Sequence, residues 1–209
     1  MVRERVRIRF GKRADLRLIG HRDLLRCLER LFRRAGLPLA MSEGFHPKPR
    51  MSFPLALGLG VEGLDEVMEL ELSETWSAER LIARLTPQLP PGLTLNSVEP
   101  LPPGAKKAQV RSVWYEVPLP PRKRGELADR VREFLSAASW PVQRRGRRTP
   151  LDLRPLVQQL IPGEQTLRMQ LRIDPAGSAR LEELFEAIGL ADLPEHGIHP
   201  TRTSVELVP

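Results

Sequence analysis

The sequence predicts an α+β protein of two tandem ferredoxin-like (βαββαβ) units with antiparallel sheets, and three observations predict it. Period-two alternation marks strands, helical-period apolar stripes fall between them, and the charge balance reverses along the chain. Residues 1–50 carry a formal charge of +9 and residues 51–105 carry −6, while residues 106–154 carry +8 and residues 155–209 carry −4. A basic stretch followed by an acidic one thus occurs once in each half. Two units are expected, at 1–105 and 106–209, joined by a proline-rich linker holding Pro100, Pro102, Pro103, Gly104, Lys106 and Lys107.

The first unit reads element by element. Val6, Ile8 and Phe10 alternate with Arg5, Arg7 and Arg9, which predicts a strand over 2–10. Leu16–Ile19 reads as a second short strand or an extended lead-in. His21–Gly36 is the clearest helix: Leu24, Leu28, Leu31 and Ala35 recur at helical spacing, and Gly36 with Pro38 ends it. Pro38–Phe53 is strand-like but broken by Gly44, Pro47 and Pro49. Met68, Leu70 and Leu72 alternate with Glu69 and Glu71 in a strand over 66–72. Ser77 caps a helix over 77–85. Leu93–Val98 is the last strand.

The second unit repeats the order more loosely. A strand spans 113–119 and a helix 125–138, with Leu127, Val131, Phe134 and Leu135 inward. Val142–Arg145 reads as a short strand and Leu153–Leu160 as an inserted helical turn. Thr166–Ile173 alternates as a strand, Ser178–Ile188 is helical, and Thr203–Val208 is the final strand.

Composition excludes several classes. Of 209 residues, 41% are hydrophobic and 28% charged, an ordinary globular balance. One cysteine, Cys27, excludes an intrachain disulfide and any site needing several thiolates. The opening MVRERVRIRF lacks the apolar run of a signal peptide, and no window approaches 18 apolar residues, so a cytoplasmic protein with no membrane span is expected. GLGVEG at 58–63 superficially matches a dinucleotide fingerprint, but an acidic strand follows it rather than a helix. No cofactor is expected. The net charge of +7 and pI of 10.4 favour an anionic partner, of which nucleic acid is a common one.

Four constellations could carry chemistry. Arg22, Arg26, Arg30 and Arg33 share one side of the first helix, and arginine's planar fork suits phosphate. The alternative reading is a solvated face on which Glu29 makes local ion pairs. In Glu43-Gly44-Phe45-His46-Pro47-Lys48-Pro49-Arg50, the prolines stiffen a loop that presents an aromatic ring beside cations, the usual composition for stacking on a base while holding phosphate. Here the alternative is a structural bend with Phe45 in the core. If His21 and His46 meet, they could do acid–base work on a phosphodiester; the blander reading has His21 hydrogen-bonding a neighbouring loop. A metal site would need more ligands, with Asp23 and Glu43 the candidates, and none is expected. Arg144, Arg145, Arg147 and Arg148, followed by Asp152 and Arg154, form a dense basic segment in which Asp152 is expected to orient Arg154 or Arg148. It is either an anion site or a basic loop. Arg202 adds a further cation near the C-terminus.

Several of these stretches also carry a resemblance. Ile19-Gly20-His21-Arg22-Asp23-Leu24-Leu25, Glu29-Arg30, Arg33-Arg34-Ala35-Gly36-Leu37-Pro38, Ser42 to Arg50, Ser52-Phe53-Pro54-Leu55 and Leu59-Gly60-Val61 together resemble the radical-SAM-linked family, also called domain of unknown function 2344. The match is strongest over residues 5–72 and rests more loosely on Asp152–Pro155 and Arg202-Thr203 beyond that. Members of that family occur beside, or as a C-terminal extension of, a large radical-SAM protein, so the resemblance implies a radical-SAM partner. The family commonly has Asn-Pro-His-Pro-Arg where this chain has His46-Pro47-Lys48-Pro49-Arg50. Lys48 in place of the histidine shifts the segment towards anion binding.

Three functions follow as expectations. The first is a non-catalytic or accessory module of a radical-SAM system that binds RNA or another phosphate-rich ligand through its basic surface. The second is a protein–protein adaptor docking on the radical-SAM partner. The third is an RNA-processing or RNA-modifying enzyme using His21 and His46. The expected ligand-binding set is His21, Arg22, Arg26, Arg30, Glu43, Phe45, His46, Lys48, Arg50, Arg148, Asp152, Arg154 and Arg202.

Overall fold

Val6, Ile8 and Phe10 of strand β1 (Glu4–Lys12) are at most 3% exposed, whereas Arg5, Arg7 and Arg9 between them stay partly exposed. The computed structural model describes residues 4–146, 148–174 and 177–209. It is a mixed α+β structure with antiparallel strand pairing, and the chain divides into two units, Met1–Gln109 and Val110–Pro209.

In the first unit, β1 is followed by α1 (His21–Arg34), β2 (Met51–Ser52), β3 (Glu62–Leu72), α2 (Ala78–Leu85) and β4 (Leu93–Leu101). The strands lie in the order β4-β1-β3-β2, every pair antiparallel. The apolar face of β1 and β3 meets Leu24, Leu28, Leu31 and Phe32 of α1 and Leu81 and Leu85 of α2 in one core. Ser77 caps α2 by accepting the Arg80 backbone N–H through Oγ at 3.3 Å. The segment expected as a short strand or an extended lead-in at Leu16–Ile19 is instead a 3-10 turn, Ala14–Leu18, closed by the Leu16 N–H on the Arg13 carbonyl. Asp15 and Arg17 alternate with its leucines and none of its five residues is buried, so no strand face is filled and the chain folds back locally.

The second unit runs β5 (Val110–Pro118), α3 (Pro121–Ser136), β6 (Pro141–Val142), β7 (Leu151–Asp152), β8 (Val157–Pro162), β9 (Thr166–Arg172), α4 (Leu181–Ala187) and β10 (Thr201–Leu207). Its main strands lie in the order β10-β5-β9-β8, again antiparallel, and β6 with β7 forms a separate ribbon inserted after α3. Two expectations are corrected here. Leu153–Leu160 is a 3-10 turn, Arg154–Leu156, followed by β8 rather than a helical turn. A register shift between Val157 and Gln159 puts Val157 and Leu160 inward three residues apart, which imitates helical spacing in the sequence. Helix α3 also starts four residues before Gly125, because Pro121 sits in its first turn, where a missing N–H costs nothing.

Among the described residues, no helix is long and apolar enough to cross a membrane.

Two glycines give substitutions of opposite sign. Gly36 follows α1 at φ +67°, and a Cβ there would stand 2.8 Å from Arg84 Nη2. Gly36→Ala is expected to destabilise by about 1–2 kcal/mol. Gly125 lies inside α3 with nothing within 4 Å of the added carbon, so Gly125→Ala is expected to stabilise by about 1 kcal/mol. Chemical denaturation of the two variants against the parent protein checks both signs.

Candidate functional site

The arginine ridge on α1 forms as the spacing predicts. Leu24, Leu28, Leu31 and Phe32 bury one side, and Arg22, Arg26, Arg30 and Arg33 are exposed on the other. Arg26 pairs with Asp23 at 3.2 Å, both largely exposed, so little energy is at stake. Glu29, which the solvated-face alternative has pairing locally, makes no ion pair among the described residues, and neither do Arg22, Arg30 and Arg33. Arg22 also stands in the first turn of α1, where the helix dipole opposes a cation. Folding gains nothing there from the charge, which leaves it available to an anion.

Residues 40–50 close into a tied hairpin. The Ser42 N–H reaches the Lys48 carbonyl at 2.8 Å, the Lys48 N–H reaches Ser42 Oγ at 3.0 Å, and the Arg50 N–H reaches the Ala40 carbonyl at 2.8 Å. The base docks on the edge of β3, because Ala40 donates to the Glu71 carbonyl and Glu71 donates to the Arg50 carbonyl. Gly44 at φ +117° turns the tip, a conformation residues with a Cβ avoid. Phe45 follows it and is fully exposed, with His46 and Lys48 exposed beside it. The core alternative for Phe45 is therefore excluded. Arg50 Nε donates to the Met41 carbonyl at 3.2 Å, and its guanidinium lies 3.7 Å from Glu71 and 3.9 Å from Glu43. Arg50 thus holds the hairpin shut from one side.

The two histidines have separate surroundings. The His21 ring packs edge-on against Phe53 at 5.1 Å between centroids, and Phe53 in turn meets Phe10. His46 is exposed in the hairpin. No hydrogen bond, ion pair or ring contact joins the two imidazoles among the described residues. Nor does any group of three His, Cys, Asp or Glu there form a metal-binding cluster, so Asp23 and Glu43 lack further ligands around them.

In the second unit the basic segment is tied into the fold. Arg144 meets both Glu183 carboxylate oxygens at 2.6 Å and donates to the Ser178 carbonyl at 2.7 Å. Asp152 does not pair with an arginine side chain as expected. Its Oδ1 accepts the backbone N–H of Trp140 at 2.7 Å and of Arg154 at 3.0 Å. Burial of that carboxyl raises its pKa, but these backbone bonds, with the Ser139 side chain and the charge of Arg154, outweigh the effect and hold it below the usual range. Arg154 spends its own guanidinium on the Leu135 and Val157 carbonyls. Arg202 is 1% exposed, with Tyr115 Oη 3.4 Å from Nη1. Of the expected ligand residues here only Arg148 is exposed, and Arg147 lies outside the described residues.

Sequence reasoning missed a charged array on the first unit's sheet. Glu69 of β3 is 2% exposed and accepts from Arg7 Nη2 at 3.0 Å and from the Ala108 N–H at 3.1 Å. Arg9 pairs with Asp65, and Arg5 donates to the Ala105 and Lys106 carbonyls. The signal was present: Arg5, Arg7 and Arg9 at alternate positions of one strand, and Glu69 and Glu71 at alternate positions of another.

A family model described as "Uncharacterized protein conserved in bacteria (DUF2344)" matches residues 5–181. No curated protein matches. Among solved structures, one of an unknown protein from Galdieria sulphuraria aligns over 100% of both chains at 12% identity, with a TM-score of 0.28 that carries no argument about fold.

The Arg144–Glu183 pair sets a pH-dependent contribution to stability. Burial raises the Glu183 pKa, but hydrogen bonds from Arg144 and from the Arg180 N–H outweigh it, so the group sits below its ordinary value of 4.5. A depressed carboxylate contributes stability that is fully present above its unfolded pKa and is lost as pH falls through the folded one. Glu183→Gln is expected to destabilise the protein by about 3 kcal/mol at neutral pH, since it leaves Arg144 half-buried without its counter-charge. Denaturation midpoints measured from pH 7 to pH 3 should fall less steeply in the variant than in the parent.

Proposed function

We propose that this chain, which belongs to the DUF2344 family of uncharacterised proteins conserved in bacteria, is a non-catalytic accessory module that binds RNA through the basic surface of its first unit. The observation that carries this reading is Phe45, fully exposed at the tip of a backbone-tied hairpin that also exposes His46 and Lys48. The tied backbone already holds the ring out in solvent where a base can stack on it, and every base offers a π-face. His46, Lys48 and the unpaired Arg22, Arg30 and Arg33 would supply phosphate contacts. The pairing with a radical-SAM protein rests on the sequence resemblance alone.

The same reading assigns each unit a ferredoxin-like fold. It is supported by the βαββαβ order and by strand orders β4-β1-β3-β2 and β10-β5-β9-β8, which number as 4-1-3-2 within each unit. Such sheets commonly bind single-stranded RNA on an aromatic-bearing open face. Here that face of the first unit carries Arg5, Arg7, Arg9, Glu69 and Asp65 instead. The hairpin and α1 are therefore the better RNA contacts.

The adaptor reading has one observation in its favour. Leu18 and Leu59 are exposed apolar side chains on segments joined by the Gly60 N–H to the Arg17 carbonyl at 2.9 Å. The enzyme reading has less, because His21 is packed on Phe53 and shares no contact with His46.

Fluorescence anisotropy with a single-stranded RNA tests the proposal. Phe45→Ala is expected to weaken binding by about 5- to 100-fold, the worth of one stacked base. The double variant Arg30→Ala, Arg33→Ala should lower the slope of log affinity against log salt by about 1.4, two phosphate contacts at ~0.7 each. Undetectable RNA binding by the parent protein at low salt overturns the reading, and salt-resistant co-purification with a radical-SAM protein then selects the adaptor.

A further inference from the structure

A cavity of about 280 Å³ opens in the first unit between Arg5 of β1, Arg50 and Ser52 around β2, Glu69 and Glu71 of β3, and Lys107. Two of its carboxylate oxygens lack hydrogen bonds, as does the buried Arg5 Nε that faces one of them beyond hydrogen-bond reach. Glu69, 2% exposed, uses Oε1 to accept from Arg7 and Ala108, but its Oε2 has no hydrogen-bond partner, with Arg5 Nε at 3.7 Å. Glu71 Oε2 is likewise buried without a hydrogen-bond partner, with Arg50 Nη1 at 3.7 Å. The two residues are adjacent on one face of β3. A carboxylate oxygen withdrawn from water needs a donor, and leaving it without one costs about 1–3 kcal/mol or more.

Opposite charge stands at the same cavity. Lys107 is exposed and makes no ion pair among the described residues. Arg50 is 41% exposed, and its two carboxylate neighbours lie too far for hydrogen bonds. We propose that this cavity binds a small zwitterion, a primary ammonium and a carboxylate a few bonds apart, as in a free α-amino acid. The ammonium carries three donors and no acceptor, so it can serve Glu69 Oε2 and Glu71 Oε2 together. The ligand's carboxylate faces Arg50 and Lys107.

The lining argues against other occupants. Arg5 and Arg50 beside both glutamates oppose a bare divalent cation and favour a ligand that brings its own anion. No aromatic ring lines the cavity, and Met51 is its one apolar residue, so a nucleobase has no surface to stack on. The volume falls just below the roughly 300 Å³ lower limit of common small-molecule sites, which suits an amino acid. This inference is independent of the RNA reading, since Phe45 and the α1 arginines do not line the cavity.

The test is an amide-resolved NMR titration of the full chain with free α-amino acids, their N-acetylated counterparts and guanosine monophosphate. At least one free amino acid is expected to give saturable shifts at Ser52, Glu69, Glu71 and Lys107 with a Kd of about 1 mM or tighter. N-acetylation should abolish them. Glu71→Gln and Lys107→Ala should each weaken binding about tenfold or more, while Phe45→Ala leaves it unchanged. Glu71 and Lys107 are chosen because both are more exposed than Glu69, so their variants keep the fold. The proposal is overturned by the absence of saturable shifts, by shifts confined to other residues, or by an acetylated amino acid or the nucleotide binding as well as the free amino acid.

Discussion

The register of β1 against β3 is the constraint on which the first unit depends. It sets Val6 opposite Leu70 and Ile8 opposite Met68, and it sets Arg5 opposite Glu71 and Arg7 opposite Glu69. One residue of slip would turn Arg5, Arg7 and Arg9 into the core under α1 and expose the valine, isoleucine and phenylalanine. The apolar face alone would resist that slip. The charged face resists it as well, because this register puts Arg5 across from Glu71 and Arg7 across from Glu69. The hairpin then inherits the same frame, since its base hydrogen-bonds to Glu71 at the edge of β3. Phe45 is held outward by a chain of backbone bonds that begins in strand pairing.

That charged face is more than a device for register. Cross-strand pairs of opposite charge contribute roughly 0.2–1 kcal/mol when they are exposed. Glu69 is not exposed, and it is only half satisfied. A buried carboxylate with one oxygen bonded and one bare is a poor way to stabilise a sheet, because the desolvation cost approaches or exceeds the attraction. Apolar residues at these positions would hold the register by burial alone. The arrangement makes physical sense if something else supplies donors to Glu69 Oε2 and Glu71 Oε2.

How far the sequence disclosed this can be followed residue by residue. The strands that alternate cleanly, β1, β3 and β9, and the helices with full apolar stripes were legible, because each buries a continuous row on one side. Elements without such a row were misread. Val157 and Leu160 looked helical because a register shift removes the strict alternation of β8. Ala14–Leu18 has no buried residue, so no periodic signal existed. The ridge on α1 and the exposed loop were legible from residue type and spacing. The cavity was not, because Lys107 and Ser52 reach Glu69 through strand pairing and chain return, which local sequence does not encode.

The second half shows why counting arginines misleads. Its basic segment is as dense as that of the first half, yet Arg144 is spent on Glu183, Arg154 on the Leu135 and Val157 carbonyls, and Arg202 is buried. Arg154 joins the end of α3 to the start of β8 by two carbonyl contacts, a task suited to a planar fork with several donors. The inserted ribbon of β6 and β7 needs such ties, because two residues on each strand bury almost nothing. In α1 the opposite holds. Its arginines lie on a helix whose other face already fills the core, so the fold asks nothing of them. Within the basic segment itself Arg144 and Arg154 are struts while Arg145 and Arg148 stay exposed, so the formal charge of a segment is a poor guide to how many of its cations the fold leaves free.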